Sequence, residues 1–225
     1  MVEMNETDDI RALVFANGDL NDGSAVQAAL HHAPDAHIIA ADGGAQLALA
    51  CGLVPDVVVG DMDSLPGPTL DDLRARGTAI QRYAEAKDET DLELALAAAV
   101  ARQARWIRVL GAVGSRMDQT LANVHLLALD DLAGCDVRLV SGQQTIWLVG
   151  PGRHELRGTP GDTLSLLPLV PGATGITTVG LTYPLENETL HFGPARGVSN
   201  VLAGEVASVS LAEGLLLVVH TVGKA

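Results

Sequence analysis

The chain has 225 residues, 48% of them apolar and 19% charged, which suits one large domain or two small ones and excludes a disordered chain. Its 14 Lys and Arg stand against 28 Asp and Glu, a formal net charge of −14. Such a balance excludes nucleic acid or an anionic membrane as the main partner, because both require a basic surface.

In chain order, the opening MVEMNETDDI is polar and acidic with no apolar h-region, so it is not expected to be a signal peptide. No apolar run approaches the ~18 residues of a membrane helix. A cytoplasmic protein is expected, with Cys51 and Cys135 as buried reduced thiols, since they lack Cys-x-x-Cys spacing. The Asn-x-Thr matches at Asn5 and Asn187 are then chance occurrences. From there to about residue 140, β-branched runs alternate with Ala- and Leu-rich stretches of helical period. Strands are predicted over 12–16, 38–41, 57–59, 78–81, 107–110 and 136–140, and helices over 24–29, 45–50, 69–76, 91–101 and 121–130. That alternation predicts an α/β domain over 1–141: a doubly wound, mostly parallel sheet with helices on both faces.

After Ser141 helical periodicity disappears, and Pro151-Gly152 and Pro171-Gly172 punctuate short alternating runs. Strands are predicted over 145–149, 163–169, 176–179, 206–211 and 215–221. The 142–225 segment therefore reads as a smaller antiparallel β-sandwich. No Gly-x4-Gly-Lys-Ser/Thr, Gly-x-Ser-x-Gly or metal-spaced histidine group occurs, His31, His32 and His37 included.

Four polar clusters share one placement. Asp42-Gly43-Gly44 follows the second predicted strand and Gly60-Asp61-Met62-Asp63-Ser64 the third. Lys87-Asp88-Glu89-Thr90-Asp91 lies between the fourth strand and the next helix, and the segment Gly111 to Asp118 follows the fifth. Parallel strands end on one edge of their sheet, where ligands bind, so these segments converge. Asp61 and Asp63, two apart in a segment taken as extended, would point the same way about 6–7 Å apart. Like charges that close call for a cation, and Mg²⁺ suits one or two carboxylates completed by phosphate and water. The alternative is that Asp61 caps a turn and Asp63 a helix. Thr90 with Glu93 forms a capping box, placing Asp91 in a first helical turn that favours an acid. Lys87 is a candidate phosphate contact. Gly111-x-x-Gly114 with Arg116 has the make-up of a phosphate loop, although glycines at strand ends also serve turns alone.

Together these segments resemble the thiamine pyrophosphokinase family. The matching stretches are ADGGA (41–45), PDVVVGDMDS (55–64), KDETDLELAL (87–96), GAVGSRMDQTLANVHLL (111–127), GLTYPLENETL (180–190), GVSN (197–200) and the closing EGLLLVV. The resemblance implies diphosphate transfer from ATP to the hydroxyethyl group of thiamine, an α/β catalytic domain, a C-terminal sandwich and a homodimer. It implies that Asp42, Asp61, Asp63 and Asp91 surround Mg²⁺ and the diphosphate. The implied catalytic set is Asp61, Asp63, Asp91, Lys87 and Arg116. ATP would be bound by Asp42, Gly43, Gly44, Thr90, Gly111, Gly114, Arg116 and Asp118, with Asn123 supporting the loop. Ser199 and Asn200 would reach thiamine from the partner subunit. The base for the alcohol stays open between Asp91 and Asp63. Two departures stand out: the family's Gly-Gly-Arg-x-Asp-His reads Gly114-Ser115-Arg116-Met117-Asp118-Gln119, and the last strand lacks the tryptophan some members carry. The rival readings are a pyrophosphokinase for another heterocyclic alcohol, such as a pterin, and a non-catalytic nucleotide-binding relative.

Overall fold

The structure, a computed structural model, describes residues 10–224; the acidic segment before Ile10, with the Asn5 match, lies outside the described residues. Two compact units are found, one ending at Gly142 and the other beginning at Gln143.

The first unit alternates β1 (Arg11–Phe15), α1 (Ser24–Leu30), β2 (Ala36–Ala41), α2 (Gly44–Ala50), β3 (Val57–Gly60), α3 (Gly67–Ala75), β4 (Ala79–Arg82), α4 (Asp91–Ala101), β5 (Trp106–Leu110), α5 (Met117–Leu126) and β6 (Asp136–Ser141). The strands run parallel in the order β6-β5-β1-β2-β3-β4. Continuous apolar runs such as Val57-Val58-Val59, all fully buried, are what strands covered on both faces require. Leu13, Phe15, Ile38, Ala40 and Val58 pack with Val26 and Ala29 of α1, Ala45 and Ala48 of α2, and Leu70 and Leu73 of α3. On the other face α4 packs against β1, β2 and β3, and its buried Ala95, Ala98 and Ala99 let the helix come close to the sheet. The sheet is therefore doubly wound, as expected.

The fifth helix departs from expectation. It starts at Met117 and ends at Leu126, not over 121–130. Apolar spacing misplaced it because Met117 and Leu121 are exposed, whereas the real start is set by the turn after Arg116, where Thr120 N–H donates to the Arg116 carbonyl at 2.9 Å.

The second unit is all β: β7 (Gln144–Val149), β8 (Gly152–Arg157), β9 (Thr163–Pro168), β10 (Gly172–Val179), β11 (Glu188–His191), β12 (Asn200–Val201), β13 (Val206–Leu211) and β14 (Leu216–Thr221). Antiparallel pairing gives the strand orders β12-β9-β14-β7 and β11-β10-β13-β8. Leu164, Leu166, Leu216 and Val218 from the first set share one core with Leu156, Ile176, Val209 and Leu211 from the second. Strands β8, β11 and β12 were not predicted. Each is an outer strand of its set, and GRHELR and ETLH bury one leucine apiece, too few for a period-2 signal. Among the described residues no helix is long and apolar enough to cross a membrane.

Candidate active site

The chain runs from β1 out to β4 on one side, then returns to the other side of β1 for β5. That reversal makes β1 and β5 a topological switch point, and the crevice beyond their C-terminal ends is where such sheets bind ligands. A cleft of ≈ 780 Å³ opens there, large enough for a nucleotide-sized ligand. It is lined by the segments after β1, β2, β3 and β5 and by the 85–92 stretch that leads into α4.

Asp42 terminates β2 with φ 43°, a left-handed conformation that Asp tolerates better than most residues. Its backbone N–H donates to the Val59 carbonyl at 2.8 Å, and the side chain is carried inside, 3% exposed. Oδ2 accepts from Ser64 N–H at 3.2 Å; Oδ1 is buried and has no hydrogen-bond partner among the described residues. Burial pushes the carboxyl above the usual range, hydrogen bonding opposes this, and the nearby Asp91 charge adds to it.

The Asp-x-Asp segment is not extended. Met62 has φ 69° and is buried, so the chain turns, and Asp61 Oδ1 accepts from Asp63 N–H at 3.0 Å. One carboxylate oxygen each from Asp42, Asp61 and Asp91 lie within 4.8 Å of one another. Asp63 stands outside that trio: it lines the cleft and accepts from Ser64 Oγ at 3.0 Å. Gly60 keeps the trio together, since a Cβ there would sit 3.0 Å from Asp42 Cβ and Asp91 Cγ.

Thr90 caps α4, its hydroxyl accepting from Glu93 N–H at 3.2 Å, and this sets Asp91 as the first helical residue. Lys87 leans over the same acids, its Nζ 3.0 Å from Asp91 Oδ1 and 3.9 Å from Asp61 Oδ2. Asp91 Oδ1 is itself buried with no well-formed hydrogen bond, so that contact is a charge pairing. It holds the Lys87 ammonium above its usual range.

On the β5 side, Gly111 has φ 71°, and a Cβ there would meet Leu47 Cδ2 at 2.6 Å and the Ala16 carbonyl at 2.7 Å. Gly114 N–H donates to Thr120 Oγ1 at 3.2 Å. Asn123, buried in α5, donates to the Ala112 carbonyl at 2.8 Å. Arg116 lines the cleft mouth and pairs with Asp118, which is not among the lining residues. Gly43 and Gly44 do not line it either. Their place is in packing, because a Cβ on Gly44 would come 2.1 Å from the Phe15 carbonyl and one on Gly43 would strike the Asn17 side chain. Ser199 and Asn200 lie in the second unit. Ser199 N–H donates to Ser165 Oγ at 3.0 Å, and the buried Asn200 side chain is engaged with both the N–H and the carbonyl of Tyr183, at 3.0 and 2.7 Å.

Sequence reasoning missed Asn17, Gly18, Asp19 and Glu85 in the lining. The first three follow β1 as the other clusters follow their strands, so the same strand-end rule would have found them.

Among the described residues, seven carboxylates and two cations, Lys87 and Arg116, face this cleft. A polyphosphate cannot enter so acidic a place without added positive charge. The trio suits a hard divalent cation: it offers clustered carboxylate oxygens, one of them buried and unpartnered.

Comparison with known proteins agrees in both units. A family model described as the catalytic domain of thiamin pyrophosphokinase matches residues 30–137, and one described as the vitamin B1 binding domain of the same protein matches 153–216. A thiamine pyrophosphokinase of Bacillus subtilis is 29% identical over 184 residues, 81% of this chain and 86% of the relative. A longer rice protein, thiamine pyrophosphokinase 1, is 26% identical over 69% of this chain, which spans 62% of it. The crystal structure of thiamine pyrophosphokinase from Bacillus subtilis superposes with a TM-score of 0.84 at 26% identity, covering 94% of this chain and 99% of that one. With both domain models matched in order across most of its length, the chain belongs to the thiamin pyrophosphokinase family.

Proposed function

We propose that this protein is a thiamine pyrophosphokinase, transferring the β,γ-diphosphate of ATP to the hydroxyethyl oxygen of thiamine and releasing AMP. The reading is carried by the Asp42–Asp61–Asp91 trio, set in a nucleotide-sized cleft at the switch point of a chain whose second unit matches a vitamin B1 binding domain.

Asp42, Asp61 and Asp91 are the residues that would hold a divalent cation, with Mg²⁺ the choice. Bound there, it would neutralise diphosphate charge, which dominates catalysis of phosphoryl transfer. Lys87 and Arg116, both lining the cleft, supply further positive charge to the phosphates. Thr90, Gly111 and Gly114 border the nucleotide, and Asn123 fixes the loop that carries the glycines. Asp118 acts through Arg116. The thiamine hydroxyl oxygen attacks the β-phosphorus, the bond from that phosphorus to the α,β-bridging oxygen breaks, and AMP leaves with that oxygen. Asp63 is better placed than Asp91 to take the hydroxyl proton: it faces the cleft outside the trio, whereas Asp91 is committed to Lys87. Ser199 and Asn200 serve the thiamine side in a cytoplasmic homodimer. Asn200 does so by holding Tyr183, since its amide engages both the N–H and the carbonyl of that residue. The first unit is thus the ATP domain and the second the thiamine and dimer domain.

The test is ³¹P NMR of the purified protein with ATP, Mg²⁺ and thiamine, beside an identical sample containing a pterin alcohol. Thiamine diphosphate and AMP should appear together in the first sample alone. Product only from the pterin, or none from either in a protein that binds ATP, would overturn the assignment.

A further inference from the structure

The turn after β5 is restrained at every carbonyl from 111 to 114. The backbone of Gly18 closes over the Gly111 carbonyl so tightly that a Cβ on Gly18 would lie 2.2 Å from its oxygen. Asn123 Nδ2 donates to the Ala112 carbonyl at 2.8 Å. Asn21 Nδ2 donates to the Val113 carbonyl at 3.0 Å. Thr120 Oγ1 lies 3.3 Å from the Gly114 carbonyl while accepting from Gly114 N–H. Two of these restraints come from α5, which the turn itself leads into. The other two come from the 16–22 segment after β1, roughly ninety residues earlier in the chain.

Asn21 is the fastener of that segment. It has φ 46°, a conformation in which Asn is among the few side chains tolerated. Its amide nitrogen also donates to Ser141 Oγ at 3.1 Å, and its own carbonyl accepts from Gly142 N–H at 2.6 Å. One surface residue therefore joins the ends of β1, β5 and β6. It is not among the residues lining the cleft. A trans peptide sets its N–H opposite its carbonyl, so tying the carbonyls of 112, 113 and 114 also fixes the direction of the N–H groups of 113, 114 and 115; that of Gly114 is spent on Thr120 Oγ1, so the groups at issue for an anion are those of 113 and 115.

We infer that Asn21 is a positioning residue for polyphosphate binding: through the Val113 carbonyl it holds the 111–116 turn in its anion-binding form without touching the nucleotide. The inference rests on the proposed ATP site, though not on which alcohol accepts the diphosphate. Two variants test it. Asn21→Gly keeps the backbone conformation and removes the amide; Asn21→Asp keeps the shape and removes the donor. Equilibrium dialysis with Mg²⁺–ATP, and separately with Mg²⁺–tripolyphosphate, reads binding without turnover. Both variants should weaken both ligands about 10-fold, the scale of one lost hydrogen bond. The KM for ATP should rise while the KM for thiamine holds, and the melting temperature should stay near that of wild type. Unchanged affinity in either folded variant, weakening of ATP but not of tripolyphosphate, or equal loss toward both substrates would overturn it. Wild-type protein that binds ATP but makes no thiamine diphosphate would refute the proposed function and leave the binding comparison standing; wild-type protein that binds neither ligand would refute both.

Discussion

Asp42 combines three properties that conflict in isolation: a left-handed backbone, a side chain cut off from solvent, and a carboxylate oxygen with no donor. An unpaired buried acid costs stability, and two more carboxylates within 4.8 Å add repulsion. Such an arrangement is retained where a cation completes it. Asn is the informative replacement, since it tolerates the positive φ and can still accept from Ser64 N–H. Asp42→Asn should melt at the same temperature as the wild type or higher when no metal is present. It should also lose the Mg²⁺-dependent rise in melting temperature shown by wild type and fall about 10²-fold in turnover. A wild-type protein with no such rise in thermal-shift titrations would remove the trio as a metal site. The sequence showed Asp42, Asp61 and Asp91 as strand-end acids but placed Asp63 beside them. The positive φ of Met62, which separates the two, depends on the burial of its side chain and is invisible in a spacing of two.

At the scale of elements, α4 shows how one segment serves both fold and site. Its apolar face is built from leucines and alanines that pack on β1, β2 and β3, and its first residue supplies a carboxylate to the trio. Thr90 joins the two roles by fixing where the helix begins. Replacing it with Ala should cost about 1 kcal/mol of stability, as for other lost N-caps, while Thr90→Ser, which keeps the hydroxyl, should cost much less. Urea denaturation distinguishes them; equal midpoints for Thr90→Ala and wild type would mean that the cap does not hold the helix start. This helix was legible to the residue, because cap, acid and apolar period agree. The start of α5 was not, because Met117 and Leu121 face solvent and the cue is a backbone turn.

For the whole molecule, two units with separate cores allow two different responses to acid. In the second unit Asp162 is buried, which by itself would raise its carboxyl. Hydrogen bonds from Gly223 and Thr159 N–H and from His220 outweigh this and hold it below the usual range. A depressed carboxyl stabilises the fold above its unfolded value of about 3.9 and loses that contribution as the pH falls through the folded value. In the first unit Asp42 is held above the usual range, so protonating it relieves the folded state before the unfolded chain titrates. Lowering the pH below about 4 should therefore loosen the second unit, while the metal-free first unit gains from Asp42 at milder acidity, before Asp136, which burial would raise but Arg108 and Arg138 hold below the usual range, takes up its proton; hydrogen exchange at several pH values reads both. Asp162→Asn should flatten the acid response of the second unit. Loss of protection in the metal-free first unit already above pH 4 would contradict this assignment.

The sequence alone determined the class of each half, the parallel strands with their intervening helices, and the convergence of four polar segments on one sheet edge. These follow from periodicity and from the rule that parallel strands end together, both local properties of the chain. Only the tertiary structure decided which acids meet, that the segment after β1 is the fifth wall of the cleft, and that Asn21 reaches residues 92 and 120 positions away. It also decided that Gly43 and Gly44 serve packing while Gly60 makes room for carboxylates. Such facts depend on contacts between segments remote in sequence, and on backbone conformations that burial selects, neither of which is encoded in the spacing of neighbouring residues.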